Sequence, residues 1–404
     1  MSGRKVLFLA QRIPYPPNKG EKIRAYHFLR HFQATGQVHL GCFVDEAEDW
    51  PHVEGLAATC AGSHFARLDK RLAKVRSARA LVTGTSLSEP YFFDRGLARW
   101  VDATMRTVRP DVVFVYSSAM AQYVVRRPDL PAASIMDFVD VDSDKWRQYA
   151  ETHAGPLRWV FAREYRKMLA HDRDVARRMA AGIFVSDAEA QLFRDLAPES
   201  AAKIHAVGNG VDTDYFSPDN AYPDVIGPGG PALTFTGTMD YWPNVDAVTW
   251  FADEVLPVLR RQVADVRLFI VGANPSPAVA RLAGDPAITV TGRVDDVRPY
   301  IHGAAAAVAP IRVARGVQNK VLEAMAMARP TVVTSQALEG IDADHGAHVL
   351  LADDPADFAA ATARILAGDA PAGLGAAARR CVEDGYSWTS RLGRLEDLVR
   401  TVGG

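Results

Sequence analysis

The stretch from Ala307 to Ser335 constrains the fold more than any other part of the sequence, because it combines a strand, a glycine loop, a helix and a second strand. Its first residues, 307–311, are apolar and predict a buried strand, and the good helix formers at 317–327 predict a helix. Pro330 ends this helix because proline disfavours helical geometry in the residue before it. The segment TVVTS then starts a new strand. Such a β-loop-α-β unit is typical of α/β folds.

The helix of this unit carries the densest chemistry in the sequence. Its apolar residues lie on almost all sides, which predicts burial against a sheet, yet Glu323 sits among them. An unpaired carboxylate there costs free energy or raises its pKa, so Glu323 needs a cation or the hydroxyl groups of a ligand. At the helix start Gly316 permits close backbone approach, the free N–H groups favour an anion, and Arg315 and Lys320 add positive charge. This combination predicts a phosphate beside a hydroxyl-bearing group.

The second half of the chain alternates strands and helices. Strands are predicted at 232–236, 266–271 and 288–291, and helices at 245–263, 276–282, 297–302 and, after the unit above, 355–366. The first half has predicted strands at 5–10, 38–44, 110–116, 133–141, 182–185 and 203–207, with helices from about Glu21, over 97–108, from Lys145 and from Ser186 to Leu196. At Ser186 the spacing to Glu189 is that of a capping box. The order predicts an α/β protein of two Rossmann-like, doubly wound parallel-sheet domains.

Three loops of the second half have a glycine close to a strand exit. They are Gly237-Thr238-Met239-Asp240, Gly292-Arg293-Val294 and Arg315-Gly316-Val317. Because α/β folds bind ligands at the carboxyl ends of parallel strands, we expect these loops to converge on one crevice that holds a nucleotide-type ligand. The loop after the first strand also ends in a glycine, Gly20. Its Lys19, Lys22 and Arg24 either face a ligand or are solvated surface cations.

A chain of 404 residues is longer than one core usually supports, so two domains are expected. The segment 207–230 is rich in Gly, Pro, Asn and Asp and predicts a linker, which leaves domains at 1–206 and 231–385. The net charge of -2 gives no case for nucleic acid as a partner. Three cysteines without metal or redox spacing fit a reducing cytoplasm. No run of about 18 apolar residues predicts a membrane span, and no signal peptide is recognised.

Two basic segments have apolar residues at helical spacing. Phe65–Ala80 and Leu157–Arg178 each predict a basic amphipathic helix. Such a helix can lie on an anionic membrane surface, whereas a charged helix face can also simply be solvated. The sequence leaves both interpretations open.

Acidic residues cluster after the strand at 133–141. Asp140, Asp142, Asp144 and Glu151 have the spacing of a calcium loop, but Lys145 stands where that loop requires glycine. A metal bound to a sugar diphosphate is a second alternative. Helix capping beside a cleft is the interpretation that the sequence favours, because carboxylates stabilise helix starts by themselves.

Two motifs together resemble the retaining GT-B glycosyltransferases of family 4. They are VGNGVDTDYFSP at 207–218 and NKVLEAMAMARPTVV at 319–333, and TGTMDYWPNVDAVTWF, VTGRVDDVRPYI and GYSWTSRL agree in order and spacing. More narrowly, PYPPNKGEKIRAYH and RGVQNKVLEAMA resemble the sugar transferases associated with exosortase (PEP-CTERM) exopolysaccharide systems.

This resemblance implies a GT-B enzyme whose two domains face a cleft, with the last helix, 386–404, crossing back to the first domain. It implies transfer of a hexose from a nucleotide sugar, without metal or cofactor, to a polysaccharide or polyprenyl-linked acceptor at the cytoplasmic face of the inner membrane. Glu323 matches the family's glutamate on the ribose hydroxyls, and Gly20 is implied to approach the diphosphate or the acceptor. The donor-binding residues expected on this basis are Glu323, Asn319, Gly316, Val317, Gly237, Thr238, Asp240, Arg293, Val294, Gly20 and Arg24.

The sequence departs from the family pattern in three places. Arg315 stands where the family has the first glutamate of its motif, and no base follows Gly237 before Asn244. We infer that Arg315 and Lys320 supply the cationic role. The histidine common at the end of an N-domain strand is absent after Tyr116, and the catalytic candidates in its place are Asp137 and Asp140. A GT-B-like protein that binds nucleotide sugars without catalysis, or a sugar-nucleotide epimerase, are the alternatives.

Overall fold

The computed structural model of the protein describes residues 3–17, 20–78, 80, 84–152, 154–313 and 316–404. The chain divides into two compact units. The N-terminal unit comprises Met1–Asn209 together with Leu392–Gly404, and the C-terminal unit comprises Gly210–Arg391. None of the helices in the described ranges is both long and apolar enough to cross a bilayer.

The N-terminal unit is built on a parallel sheet of seven strands in the order β3-β2-β1-β4-β5-β6-β7. The strands are β1 (Arg4–Ala10), β2 (Gly36–Val44), β3 (Gly62–Arg67), β4 (Val112–Tyr116), β5 (Ala133–Val139), β6 (Ala181–Phe184) and β7 (Ile204–Ala206). The strand order reverses between β1 and β4, which is the topological switch point of the sheet.

The helices of this unit cover both faces of the sheet, as parallel strands require. They are α1 (Gly20–Thr35), α2 (Val53–Ala58), α3 (Lys70–Ala78), α4 (Ser88–Tyr91), α5 (Arg95–Thr107), α6 (Asp142–Thr152), α7 (Pro156–Arg178) and α8 (Asp187–Leu196). Burial on both faces explains why β1 is a continuous apolar run, whose residues from Val6 to Ala10 are all fully buried.

The C-terminal unit has a second parallel sheet, of six strands in the order β10-β9-β8-β11-β12-β13. Its strands are β8 (Ala232–Thr236), β9 (Arg267–Val271), β10 (Ile288–Gly292), β11 (Ala306–Ala309), β12 (Thr331–Val333) and β13 (Leu350–Leu351). Its helices are α9 (Trp242–Trp250), α10 (Leu256–Arg260), α11 (Pro277–Leu282), α12 (Arg298–Gly303), α13 (Asn319–Ala326), α14 (Pro355–Leu366) and α15 (Leu374–Gly385). The switch point lies between β8 and β11. The prediction of two doubly wound parallel sheets is confirmed.

The last helix, α16 (Trp388–Gly403), begins in the C-terminal unit and ends in the N-terminal unit. Directly before the helix, Ser387 forms an isolated β-bridge with Val211, and the backbone of Gly210 lies against Trp388. Further along, Glu396 accepts two hydrogen bonds from the guanidinium of Arg4, at 2.7 and 3.0 Å. This ion pair holds the second half of α16 against the first residue of β1.

The predicted helix over 65–80 is wrong in its first part. Phe65 belongs to β3 and pairs with Cys42 of β2. The helix begins only after Asp69, whose carboxylate accepts hydrogen bonds from the backbone of Arg71 and Leu72. Because β3 is an edge strand with mostly half-buried residues, it lacks the continuous apolar run by which central strands are recognised.

Two smaller predictions are corrected as well. The helix predicted over 245–263 is interrupted by a π-helical turn, Phe251–Val255, before α10, where Pro257 cannot donate a backbone hydrogen bond. The capping box at Ser186 is only half formed. Its hydroxyl accepts from the backbone of Glu189, but the Glu189 carboxylate accepts from the backbone N–H of Val141 instead, at 2.6 Å.

We expect Gly210, which packs against the start of α16, and Gly393, which lies within α16, to respond oppositely to alanine. A Cβ at Gly210 would lie 2.5 Å from the Trp388 nitrogen, so Gly210→Ala should destabilise the protein by about 1–3 kcal/mol. Gly393 has open space around it within the helix, so Gly393→Ala should stabilise by about 0.5–1 kcal/mol. Thermal unfolding of both variants beside the wild type measures this, and a Gly210→Ala protein as stable as the wild type would contradict the packing described.

Candidate functional site

The candidate site of the C-terminal unit lies at the switch point of its sheet, where β8 and β11 are neighbours. Ala306 pairs with Leu233 and Ala307 with Thr234, so the loops that leave these strands are adjacent. The loop after β11 leads into α13, which places Lys320 on its first turn and Glu323 one turn later. The loop after β8 leads into α9. Two of the predicted glycine loops are thereby brought together.

Lys320 is held over the sheet by a neutral amide. Its Nζ donates a hydrogen bond to Oδ1 of Asn244 and lies 4.8 Å from the ring centre of Phe235. Burial lowers the pKa of Lys320 to about 8, while the charge of Glu323 acts in the opposite direction. Lys320 is therefore a cation that has lost much of its hydration and is bonded to no carboxylate among the described residues.

Asn244 is the residue of this site that sequence reasoning missed. It is buried on the first turn of α9, and its Nδ2 donates to the carbonyl oxygen of Thr238 at 2.9 Å. A Cβ on Gly237 would lie 2.6 Å from that Nδ2, so any larger residue there would displace the Asn244 amide. Asn244 thus joins the loop after β8 to Lys320. The sequence carried one sign of this role: an amide residue stands at the start of an apolar helix, directly after a glycine loop.

Glu323 is half-buried, and its carboxylate has neither a hydrogen bond nor an ion pair to any residue in the described ranges. Burial raises the pKa of Glu323 to about 7, and the charge of Lys320 opposes this shift. The sequence predicted that this carboxylate needs a cation or the hydroxyl groups of a ligand, and no cation among the described residues is bonded to it. A carboxylate with free acceptor oxygens at a strand exit is suited to bind donor groups of a ligand.

The loop Gly237–Asp240 is hydrogen-bonded to the segment that follows the neighbouring strand, β9. Met239 donates its backbone N–H to Ala273 at 2.8 Å, and Ser276 donates to the Met239 carbonyl at 3.1 Å. Asp240 accepts from the side-chain amide of Asn274 at 3.3 Å. Thr238, whose carbonyl is bonded to Asn244, is fixed in the same way.

Of the loop before α13, the structure describes residues from Gly316 onward, and Gly316 has open space around it where the sequence predicted a close backbone approach. Gly316 has φ +70°, a conformation that favours glycine. Gln318 donates its side-chain amide to the Gly316 carbonyl at 3.0 Å, Val317 packs against the core of the unit, and Asn319 is exposed at the helix start. The predicted catalytic residue Arg315 lies outside the described residues.

The third predicted loop stands apart from the other two. Arg293 and Val294 follow β10, the outer strand, which β9 separates from β8. At about 4.8 Å per strand, this loop is roughly 10 Å from the exit of β8. Arg293 is exposed, whereas Val294 packs against Phe269 and Val271. All three loops lie at the carboxyl ends of the strands, but only two of them are adjacent.

In the N-terminal unit the structure pairs two predicted site residues with each other. Arg24 donates to both oxygens of Asp137, at 2.8 and 3.2 Å, and to the carbonyl of Val207 at 2.7 Å. Both side chains are buried, as is the Lys22–Asp49 pair at 2.7 Å. The interpretation of Lys22 and Arg24 as solvated cations is wrong. Lys19 lies outside the described residues.

Asp137 has no exposed surface, which favours a role in positioning Arg24 over contact with a substrate. Burial raises the pKa of Asp137, although the charge of Arg24 opposes this. Gly20 begins α1 and has open space around it. The ion pair between Arg24 and Asp137 therefore holds α1 against the end of β5, next to the loop that follows β1.

Asp140 and Asp142 of the acidic cluster pair with a lysine of α6. Asp140 and Asp142 accept from Lys145 at 3.1 and 2.8 Å. Because 142–152 is helix α6, these residues do not form the calcium loop that was one alternative. Over the described part of the chain, no three His, Cys, Asp or Glu side chains are grouped to hold a metal ion.

His171 reaches the end of β4 from a distant part of the sequence. Its Nε2 lies 2.9 Å from the carbonyl oxygen of Ser118, and its Nδ1 lies 3.4 Å from the Glu89 carboxylate. Burial lowers the pKa of His171, but the hydrogen bond to Glu89 and the charges of Asp172 and Glu89 outweigh it and raise the pKa to about 9. The strand end that lacks a histidine in sequence therefore has one beside it in space.

Comparison with known proteins agrees with this architecture. Residues 230–368, which include the site around Lys320 and Glu323, match the family model of glycosyl transferases group 1. No curated protein matches the chain.

Several solved structures are similar over nearly the whole chain. Sucrose-phosphate synthase from Thermosynechococcus elongatus is 15% identical with a TM-score of 0.63, over 99% of both chains. A glycosyltransferase from Rickettsia africae is 13% identical with a TM-score of 0.65, over 100% of this chain and 99% of that one. HepE from Anabaena, solved with UDP-glucose, is 14% identical with a TM-score of 0.61, over 98% and 99%. Together with the two parallel sheets, these similarities show the GT-B fold.

The raised pKa of Glu323 predicts a pH-dependent effect of Glu323→Gln on stability. The folded protein keeps the proton of Glu323 up to pH 7, whereas the unfolded chain loses it near pH 4.5, so the wild type loses stability between these values. Glutamine removes this loss. We expect the free energy of unfolding of Glu323→Gln, relative to the wild type, to increase by about 1–2 kcal/mol from pH 5 to pH 8, allowing for partial exposure.

Denaturant unfolding at the two pH values measures this difference. Glu254→Gln is the matched control, because Glu254 is exposed in the same unit. An equal pH response of both variants would show that Glu323 has an ordinary pKa.

Proposed function

We propose that this chain, whose residues 230–368 match the glycosyl transferases group 1, is a retaining glycosyltransferase that moves a sugar from a nucleoside-diphosphate sugar to a polysaccharide or lipid-linked acceptor. The observation that carries the proposal is the pair formed by Lys320 and Glu323. They lie one turn apart on α13 at the switch point of the sheet, and neither has an ion-pair partner in the described residues. A ligand with an anionic end and a hydroxyl-bearing end complements both.

Glu323 is proposed to accept hydrogen bonds from the ribose hydroxyls of the donor. Its carboxylate has free acceptor positions and is half-buried, so such bonds form in a partly desolvated place where they are strong. Hydroxyl donors stabilise the charged form, so binding of the donor should release the proton that Glu323 carries below pH 7.

Lys320 is proposed to stabilise the leaving diphosphate. Breaking the glycosidic bond places negative charge on this group, and a preorganised donor there lowers the barrier by about 3–4 kcal/mol. Asn244 already fixes Lys320, so little reorganisation is needed during the reaction. The free N–H groups at the start of α13 add to the same field. Arg315 belongs to this proposal on sequence grounds alone.

Other parts of the proposal rest on resemblance. HepE is solved with UDP and with UDP-glucose, which makes UDP-glucose the first donor to test. The resemblance to family 4 supports retention of configuration and a reaction that needs neither metal nor cofactor. The resemblance to exosortase-associated transferases supports an exopolysaccharide acceptor. Three free cysteines fit a reducing cytoplasm.

The two charged residues should fail in different ways when truncated. Glu323→Ala should weaken donor binding, because it removes contacts made in both ground and transition states. Lys320→Ala should reduce kcat about 100- to 1000-fold with a smaller change in donor affinity, because its charge acts mainly on the leaving group. Lys320→Arg should recover part of kcat, and Glu254→Ala, an exposed control, should match the wild type.

The assay follows nucleotide release from UDP- and GDP-sugars in the presence of a membrane-lipid extract, after a thermal-shift screen has selected the donor. Wild-type activity in both variants would exclude this site. Saturable binding of a donor without turnover would favour the alternative, a nucleotide-sugar-binding protein that has lost catalysis.

Donor affinity should depend on pH through Glu323. Between pH 7.5 and pH 5.5 the affinity for UDP-glucose should fall about 10- to 30-fold, because Glu323, with a pKa of about 7, must lose its proton to accept hydrogen bonds. Glu323→Gln should bind with an affinity that is nearly independent of pH, and Glu254→Gln should follow the wild type. Calorimetric titrations at several pH values measure this, and a pH-independent wild type would refute the ribose contact.

A further inference from the structure

Helix α3 exposes its apolar side chains instead of burying them. Leu72 and Val75, one helical turn apart, are each 66% exposed, while the small residues Ala73 and Ser77 face the interior. Leu72 and Val75 do share one face of the helix, as their spacing in the sequence predicted, but this face is exposed to solvent. An exposed apolar pair of this kind on a helix needs a partner or a functional reason.

The same outer face is basic. Lys70, Arg71 and Lys74 are exposed on α3, and Lys70 lies 3.3 Å from Asp45. Arg71 and Lys74 have no ion pair with any residue that the structure describes. Asp69, the acid of this segment, accepts backbone hydrogen bonds at the helix start. The charge of Asp69 acts on Arg71, and the two exposed bases, Arg71 and Lys74, flank the apolar pair.

The start of α7 is a second exposed segment that is both apolar and basic. Trp159 is 61% and Leu157 54% exposed, and Arg158 between them is exposed too. Arg163 of α7 donates hydrogen bonds to the carbonyls of Ala80 and Thr85, just after α3. The two helices therefore meet in the same part of the N-terminal unit.

We propose that this basic-apolar surface, formed by Arg71, Leu72, Lys74, Val75, Leu157, Arg158 and Trp159, docks on a bilayer that contains anionic lipid. The apolar side chains enter the boundary between headgroups and acyl chains, and the bases lie among the lipid phosphates. Tryptophan is suited to this boundary, since one part of its ring system is apolar and its N–H remains hydrated. The inference is independent of the proposed donor site, which lies in the other unit.

The positive charge of this surface favours a membrane over a second copy of the chain as its partner. A symmetric dimer through this surface would place Arg71 and Lys74 opposite the same residues of its partner, and like charges across an interface are unfavourable. An anionic lipid surface neutralises these charges while it accepts the apolar groups. The surface therefore fits lipid headgroups better than a copy of itself.

The test is co-sedimentation of the full-length protein with vesicles. We expect binding to phosphatidylcholine vesicles that contain about a quarter phosphatidylglycerol to be at least about tenfold tighter than binding to phosphatidylcholine alone, and to weaken with added salt. Equal binding to both vesicle types, or binding to neither, would overturn the proposal.

Variants locate the surface. Leu72→Ser/Val75→Ser and Arg71→Glu/Lys74→Glu should each reduce binding to anionic vesicles about tenfold or more. The control is Arg177→Glu/Arg178→Glu, which makes the same charge change at the far end of α7, about 28 Å along the helix from Trp159. The control should bind nearly as the wild type does, and an equal loss in the control would overturn the assignment.

Two further readouts keep the test specific. All three variants should keep the thermal unfolding midpoint and the donor-induced thermal shift of the wild type, because the changed residues are exposed and lie in the N-terminal unit. Light scattering should show the same molar mass for the wild type and for Leu72→Ser/Val75→Ser. A dimer that this variant dissolves would overturn the proposal in favour of self-association.

Discussion

A parallel sheet has to be covered on both faces, because its crossover helices pack there and its strands are apolar throughout. Polar groups can then be reached only at the ends of the strands. In both sheets the strand order reverses once, between β1 and β4 and between β8 and β11, and the loops diverge at these points. The candidate residues of both units lie behind or beside these openings, so the chemistry of the molecule follows from how its sheets are buried.

The two units treat buried charge differently. In the N-terminal unit, Arg24 and Asp137 neutralise each other with two hydrogen bonds, and removing one partner of such a pair leaves an uncompensated charge. In the C-terminal unit, Lys320 is hydrogen-bonded to the neutral Asn244, and the carboxylate of Glu323 is bonded to no described residue. Desolvation brings the two pKa values to about 8 and about 7. The first arrangement compensates its own charges, whereas the second leaves a cation and a carboxylate that the donor of the proposed function would complement.

Much of the fold could be predicted because its signals are local. The apolar runs of β1 and β8 are recognisable within a few residues. The edge strand β3 was mistaken for helix, because its side chains are half-buried and follow no continuous apolar pattern. Of the candidate site, Lys320 and Glu323 were predicted from one helix, whereas Asn244, 76 residues away from Lys320, was not. Asn244 carries no sign in sequence of the lysine that it holds.

The sequence by itself determined two doubly wound sheets, their order along the chain, and a helix that places an acid and a base one turn apart. Only the tertiary structure decided which of these charges are paired. It joined Arg24 to Asp137 across 113 residues, brought His171 to Ser118 across 53, and turned Leu72 and Val75 of α3 outward. The reason is physical. Backbone geometry and apolar periodicity depend on neighbours in the chain, whereas charge compensation and exposure depend on which distant residues share the same space.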